Sequence, residues 1–178
     1  MKIIKFVIIA AATIIPLQSA HAQSGVVNAQ LVFPDVDGFS DGLSIAVGYE
    51  IPVPNVHPNF SAEGELTKSI SSPDSGGLDF SYYSLSGYGK YTHKVDPNFN
   101  LYGRVGLTYT SAEVDVTYLC LVGGLPSTCT SSNSDTDTSL SLGFGMDYAI
   151  NPQMDFTAGF TILHKDINHL SAGIKFKL

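Results

Sequence analysis

The charged residues are the ones whose type and spacing first suggest chemistry. They make up 14% of the 178 residues against a hydrophobic share of 44%, whereas an ordinary soluble domain is roughly a quarter charged. Glu50, Glu63, Glu65, Lys90, Arg104, Asp147, Asp155, Lys175 and Lys177 fall in phase with Ser, Thr and Gly and out of phase with the neighbouring apolar residues. That spacing puts carboxylates and cations together on a polar face. On the inside of a fold unpaired charges are costly, so these residues are expected to form an ion-pair network. A static, satisfied set and a set that opens as a gate both fit them.

Cys120 and Cys129 flank the eight residues Leu121 to Thr128 in what reads as the longest loop. In an oxidising compartment they could close a staple worth about 2 to 3 kcal/mol in the chain-entropy model, with free thiols as the alternative. Two thiols with no nearby histidine fall short of a zinc ligand set, and no metal or cofactor is expected. His169-Leu170-Ser171 places a base and a hydroxyl on one strand face. His57, His93 and His164 stand apart, without a clustered carboxylate and nucleophile. Gly143-Phe144-Gly145 precedes no helix and reads as strand rather than phosphate loop.

The elements that position these residues begin after a leader. Lys2 and Lys5 flank the start, Phe6 to Ile15 is an apolar run, and Ala20-His21-Ala22 is a small-x-small site. This is the pattern of a secretory signal peptide over 1–22, leaving 23–178 as one domain. The formal net charge of -7 argues against a nucleic-acid partner, which would be repelled. Aromatic residues at 11% supply enough apolar surface to argue against disorder.

From Gln23 onward the hydrophobic period is two. Leu140, Leu142, Phe144, Met146, Tyr148 and Ile150 alternate with Ser139, Ser141, Gly143, Gly145, Asp147 and Ala149, as in a half-buried strand. The pattern predicts eight strands, over 25–33, 42–52, 59–69, 80–93, 99–111, 138–150, 154–164 and 169–178. Three connections are tight: His57-Pro58-Asn59, Asp96-Pro97-Asn98 and Asn151-Pro152-Gln153, where Pro presets φ and Asn or Asp favours the turn. The others, Pro34 to Asp41, Ile70 to Asp79, Ala112 to Asp137 and Lys165 to Ile167, read as loops. Asp35, Asp37, Asp41, Asp74, Asp79, Glu113, Asp115, Asp135, Asp137 and Asp166 make them acidic.

Alternation alone fits a soluble barrel as well as a membrane one. An eight-stranded barrel has room inside for modest side chains only, so the large apolar residues are expected outside, where Lys68 is nearly the only charge. Tyr49, Phe60, Tyr91, Phe99, Tyr148, Phe156 and Phe176 share that outward phase near the tight turns, as a periplasmic aromatic girdle would. The expected fold is therefore all-β, an eight-stranded antiparallel up-and-down transmembrane β-barrel.

Ala62-Glu63-Gly64-Glu65-Leu66, Leu85-Ser86-Gly87-Tyr88-Gly89-Lys90-Tyr91 and Leu101-Tyr102-Gly103-Arg104-Val105-Gly106-Leu107 carry a likeness. With them the sequence resembles the OmpA-like and opacity-type outer-membrane barrels of Gram-negative bacteria, often filed as porin family. Ser171, Gly173, Phe176 and Leu178 look like that family's C-terminal assembly signal, with Leu178 where the family usually ends in Phe. The resemblance implies an outer-membrane protein with periplasmic termini and loops at the cell surface. Its role would be structural, adhesive or host-contacting, and not enzymatic.

The same resemblance implies a lumenal charge network, discussed in OmpA-like barrels as a gate. The partners implied are outer-membrane lipid and lipopolysaccharide, the barrel assembly machinery, and host or extracellular ligands at the loops, with the barrel a monomer. A narrow channel for small solutes or ions is the alternative. A lipid A-modifying enzyme is a further one, although His169 and Ser171 have lumen parity while a lipid-acting pair should face the bilayer.

Overall fold

The structure is a computed structural model describing residues 25–36, 42–71, 74–75, 78–122, 125–164 and 167–178. The leader read over 1–22 lies outside the described residues, as do Asp37, Asp41 and Asp166. The strands are β1 (Val26–Val36), β2 (Leu43–Pro52), β3 (Phe60–Ser71), β4 (Asp74–Ser75), β5 (Leu78–Lys94), β6 (Phe99–Val122), β7 (Leu125–Asn151), β8 (Met154–His164) and β9 (Ile167–Lys177).

Each long strand pairs antiparallel with its neighbours in sequence. The ring closes where β1 meets β9, from Val26↔Lys177 to Val36↔Ile167. The two-residue β4 pairs with β5 alone, so the closed barrel has eight strands, in up-and-down order. Closure leaves the lipid-facing wall without an open sheet edge, which is what a sheet needs to cross lipid.

Alternation decides the two faces. Asn28, Gln30, Ser44, Thr67, Ser84, Thr108, Ser141, Thr157 and Thr161 are buried in the bore, while Leu31, Val47, Leu85, Leu107, Leu142, Phe144 and Leu170 are exposed on the outer wall. A polar interior inside an apolar exterior is stable only where lipid covers the exterior.

The three tight turns share one construction. The backbone N–H of Asn59 donates to His57 Nδ1 at 3.2 Å, that of Asn98 to Asp96 Oδ1 at 2.8 Å, and that of Gln153 to Asn151 Oδ1 at 2.9 Å. In each, a side chain reaches across a proline to the residue two places on, as in an Asx-turn. Phe60 and Tyr91, beside the first turn, pack edge to face at 5.5 Å.

Two expectations need correction. The stretch from Ala112 to Asp137 is not a loop: β6 continues to Val122 and β7 begins at Leu125, paired in unbroken register from Phe99↔Tyr148 to Val122↔Leu125. The Ser and Thr of β7 read as loop residues, but they sit comfortably in a ribbon exposed to water on its outer face. The bore also holds large rings. Phe80, Tyr82, Tyr88 and Tyr102 all point inward and are buried.

That second correction exposes a change of phase. On β6 the apolar residues Leu101, Val105, Leu107 and Tyr109 face out, whereas beyond them Ala112 and Val114 face in. Val36, Phe80 and Tyr82 form a buried cluster against Ala112, Val114 and Ile167, while Asp35 and Glu113 face outward and are exposed. The barrel thus switches from an apolar exterior to an apolar interior. The switch marks where lipid gives way to water along the wall.

Candidate functional site

The bore at the tight-turn end holds the candidate site. Lys90 on β5 donates to Glu50 Oε2 on β2 at 2.8 Å, and Lys175 on β9 donates to Asp147 Oδ2 on β7 at 2.8 Å. The longer contacts Lys90–Asp147 at 3.6 Å and Lys175–Glu50 at 3.7 Å join these two pairs into a ring of alternating charge. Each contact skips one strand of the wall, so the ring spans the bore. The Tyr102 ring lies against both ammonium groups, 4.4 Å from Lys90 Nζ and 4.9 Å from Lys175 Nζ. Ser61 Oγ donates to the remaining oxygen of Glu50 at 2.7 Å.

Beyond this ring is a second centre. Arg104 Nη1 on β6 reaches Glu63 Oε1 and Glu65 Oε2 on β3, both at 2.9 Å, and Nη2 donates to Thr161 Oγ1 at 2.8 Å. Asn28 Nδ2 also donates to Glu63, at 3.3 Å. Only Arg offers planar donors on both sides of one fork, so it can hold two carboxylates and a hydroxyl at once. Lys177 and Asp155 pair at 2.7 Å at the rim, where the Lys177 side chain is 40% exposed.

Glycines make the room. A Cβ on Gly143 would lie 2.8 Å from Thr161 Oγ1 and 3.0 Å from Arg104 Cγ, and one on Gly159 would lie 2.4 Å from the Tyr102 hydroxyl. The two lumen-phase glycines of Gly143-Phe144-Gly145 therefore leave the space that Arg104 and Tyr102 fill.

The charge-bearing positions were legible from strand parity, but their partners were not. Pairing each charge with one on the next strand would set Glu63 and Glu65 beside Lys90, and Arg104 beside the strand of Asp147. The structure instead pairs Glu63 and Glu65 with Arg104, because long side chains meet over the axis rather than along the wall. Tyr88, Tyr102, Asn28, Ser61 and Thr161 belong to the site and were not singled out. The signal for the two tyrosines was their phase, shared with Lys90 and Arg104.

Toward the other end, Tyr82 Oη and His169 Nε2 are 2.7 Å apart, and Ser44 Oγ donates to Tyr82 Oη at 3.2 Å. His169 is thus engaged with Tyr82 across the bore. Ser171 Oγ instead donates to the Gly159 carbonyl at 3.4 Å, so the strand neighbours His169 and Ser171 do not form a base–nucleophile pair. A Cβ on Gly173 would meet the backbone of Ala29 and Gln30, and Phe176 and Leu178 are exposed on the outer wall. In the long hairpin, Cys120 and Cys129 are joined, with Cα atoms 5.8 Å apart.

A closed eight-stranded wall, polar within and apolar without, is the architecture of a particular group of bacterial envelope proteins. The sequence model of the outer membrane protein β-barrel domain matches residues 7–177. The chain belongs to the outer-membrane protein β-barrel family. Among solved members of the fold it is similar to Neisserial surface protein A, NspA, at 20% identity and a TM-score of 0.63, covering 90% of this chain and all of that one. It is also similar to Ail, the attachment invasion locus protein of Yersinia pestis, at 16% identity and a TM-score of 0.54, covering 88% and 97%. The N-terminal β-barrel domain of Pseudomonas aeruginosa OprF aligns at 12% identity and a TM-score of 0.52, covering 86% and 97%. These likenesses are of fold. A comparison with curated protein sequences returns no match.

Proposed function

We propose that this member of the outer-membrane β-barrel family is a non-enzymatic surface protein whose bore is closed by its own side chains. Its long hairpin would stand above the membrane in a structural, adhesive or host-contacting role. One observation carries the reading: a bore spanned by paired charges lies beneath a hairpin that rises clear of the lipid-facing wall. From Ala112 to Val122 the hairpin extends on the order of 35 Å at the usual rise per strand residue. A channel would need the opposite, an open bore and short or inward-folded connections.

In this reading the tight turns and both chain ends lie in the periplasm. Lipid and lipopolysaccharide surround the wall, the barrel works as a monomer, and the assembly machinery reads Ser171, Gly173, Phe176 and Leu178. Ail, named for attachment and invasion, lends support only as a barrel of the same fold at a bacterial surface. The test pairs two measurements on the full chain. Single-channel recording in a planar bilayer should show no steady conductance, and cells displaying the chain should lose adhesion to immobilised matrix when 112–137 is replaced by a short turn. Steady, large conductance would overturn the closed-bore reading in favour of a narrow channel, and unchanged adhesion would overturn the surface role.

A further inference from the structure

The wall is notched at its outer mouth. The ladder of β7 with β8 ends at Leu142↔Ile162, where Ser139 Oγ and Ser141 Oγ reach the Leu163 carbonyl. Beyond that seam the inner faces of β6 and β7 look toward Ile167 at the start of β9, and a cavity of about 160 Å³ lies between them. Thr110, Ala112, Asp135, Thr136, Asp137 and Ile167 line it. Its floor is apolar, because Ala112 and Ile167 also pack on the buried cluster of Val36, Phe80 and Tyr82. Its rim is polar and exposed at Asp135 and Thr136.

Two polar groups at the cavity call for a ligand. Thr110 is 7% exposed, and its hydroxyl is buried without a hydrogen-bond partner, an arrangement that folded proteins rarely leave uncompensated. The pairs Ala112↔Asp135 and Thr110↔Asp137 set Asp135 on the same face of the hairpin as Thr110. The Thr136 N–H donates to Asp135 Oδ1 at 2.9 Å, which orients that carboxylate and leaves Oδ2 to a ligand. Asp137 is already engaged by another group, so a ligand's charge falls to Asp135 alone. Residues 112–137 contain no Lys or Arg, and their acidic field draws cations toward the cavity.

A bare metal ion fits poorly. Calcium takes about six to eight oxygen ligands; one unengaged carboxylate and one hydroxyl fall well short, and Ala112 and Ile167 offer none. Water would satisfy Thr110 but would wet those two apolar walls. An ammonium on a short methylene chain answers all four residues. Its N–H donors suit Asp135 Oδ2, Thr110 Oγ1 and water at the rim, and its methylenes cover Ala112 and Ile167. We propose that this cavity binds a primary alkylammonium group, held by Asp135 and Thr110 with its chain on Ala112 and Ile167. The group belongs to a free small amine or to a lysine side chain of a partner. The site goes beyond the surface-display reading and does not depend on adhesion through the hairpin.

The test uses the full chain in nanodiscs of zwitterionic lipid with isotope-labelled Ile methyl groups, titrated with n-butylamine and followed by the methyl shift of Ile167. A saturable shift is expected, with n-butanol at least about tenfold weaker because it lacks the charge. Asp135→Asn should weaken n-butylamine by about tenfold, and Thr110→Val, which keeps the side chain's shape, by about threefold or more. Both variants should keep the parent's heat-shifted migration, so that lost binding reports the site and not the fold; the comparison with n-butanol needs no variant at all. Nα-acetyl-lysine amide separates the two sources: binding as tight as n-butylamine assigns the site to a partner's lysine, and weaker binding assigns it to free amines. No saturable shift, equal binding of n-butanol, or unchanged binding in Asp135→Asn would overturn the proposal. Displacement of n-butylamine by an equal or lower concentration of calcium would overturn it in favour of a metal site. Adhesion unchanged by replacement of 112–137 would strike the proposed function and leave this inference standing.

Discussion

The guanidinium of Arg104 lies 4.3 Å from the centroid of the Tyr88 ring, so one cation in the bore is held at once by an aromatic face and by Glu63 and Glu65. Three separate strands, β3, β5 and β6, thereby converge on one side chain. Removing it leaves two carboxylates buried without a counter-charge. Arg104→Ala should cost about 3 to 5 kcal/mol, the usual cost of breaking a buried pair. Urea unfolding from vesicles, or heat-shifted migration on a gel, reads the loss. Adding Glu63→Gln and Glu65→Gln should restore most of it, whereas Arg104→Lys should restore little, since an ammonium cannot serve both carboxylates and Thr161 while stacking on Tyr88.

Tyr102 separates glycines that are required from glycines that are not. A Cβ on Gly145 would lie 2.4 Å from the Ala158 carbonyl and 2.5 Å from the Tyr102 ring, while a Cβ on Gly64 or Gly87 would meet nothing within 4 Å. Gly145→Ala and Gly159→Ala should each lose about 1 to 3 kcal/mol through overpacking, and Gly64→Ala and Gly87→Ala should be close to neutral. Tyr102→Phe should partly rescue Gly159→Ala, where the hydroxyl is the nearest obstacle. It should not rescue Gly145→Ala, where backbone also stands in the way. Equal losses at all four positions would show that the rings do not fill the bore as described.

The disulfide should matter to the hairpin and not to the barrel. Cys120 and Cys129 lie well beyond the lipid-facing band, and the ladder beneath them continues without interruption. Cys120→Ser with Cys129→Ser should leave heat-shifted migration unchanged. It should speed protease cleavage within 112–137, by an amount corresponding to about 2 to 3 kcal/mol of lost loop-closure constraint. A changed heat shift would show that the staple supports the whole wall.

How much of this was legible follows from what each residue reports. Leu140 to Ile150 announce a strand because alternation survives in any half-covered sheet, and the three proline turns are built from local chemistry alone. The ladder from Ala112 to Asp137 was hidden for two reasons: Ser127 to Ser139 carry turn-like composition, and the apolar phase inverts above Tyr109, so the period does not continue through. The charged positions showed in their parity, yet the joining of Glu63 to Arg104 depends on how the closed sheet tilts and staggers. No pair of strands read by itself contains that information.

The inversion above Tyr109 gives the sharpest test of where the membrane ends. Val105 faces outward within the apolar band and Glu113 faces outward beyond it, on the same strand and in the same phase. Lipid around Val105 predicts that Val105→Arg costs about 2 to 4 kcal/mol, as for Arg near a bilayer midplane. Water around Glu113 predicts that Glu113→Arg stays within about half a kcal/mol, as at an ordinary exposed site. The inner face should show the reverse order. Phe80 is 6% exposed in the cluster with Val36 and Tyr82, and Phe80→Ala should cost about 3 kcal/mol or more, as for a ring removed from a core. Unfolding from vesicles measures all three variants on one scale. A large loss at Glu113→Arg together with none at Phe80→Ala would mean that lipid still covers the wall at that height, and the boundary would have to move outward along β6 and β7.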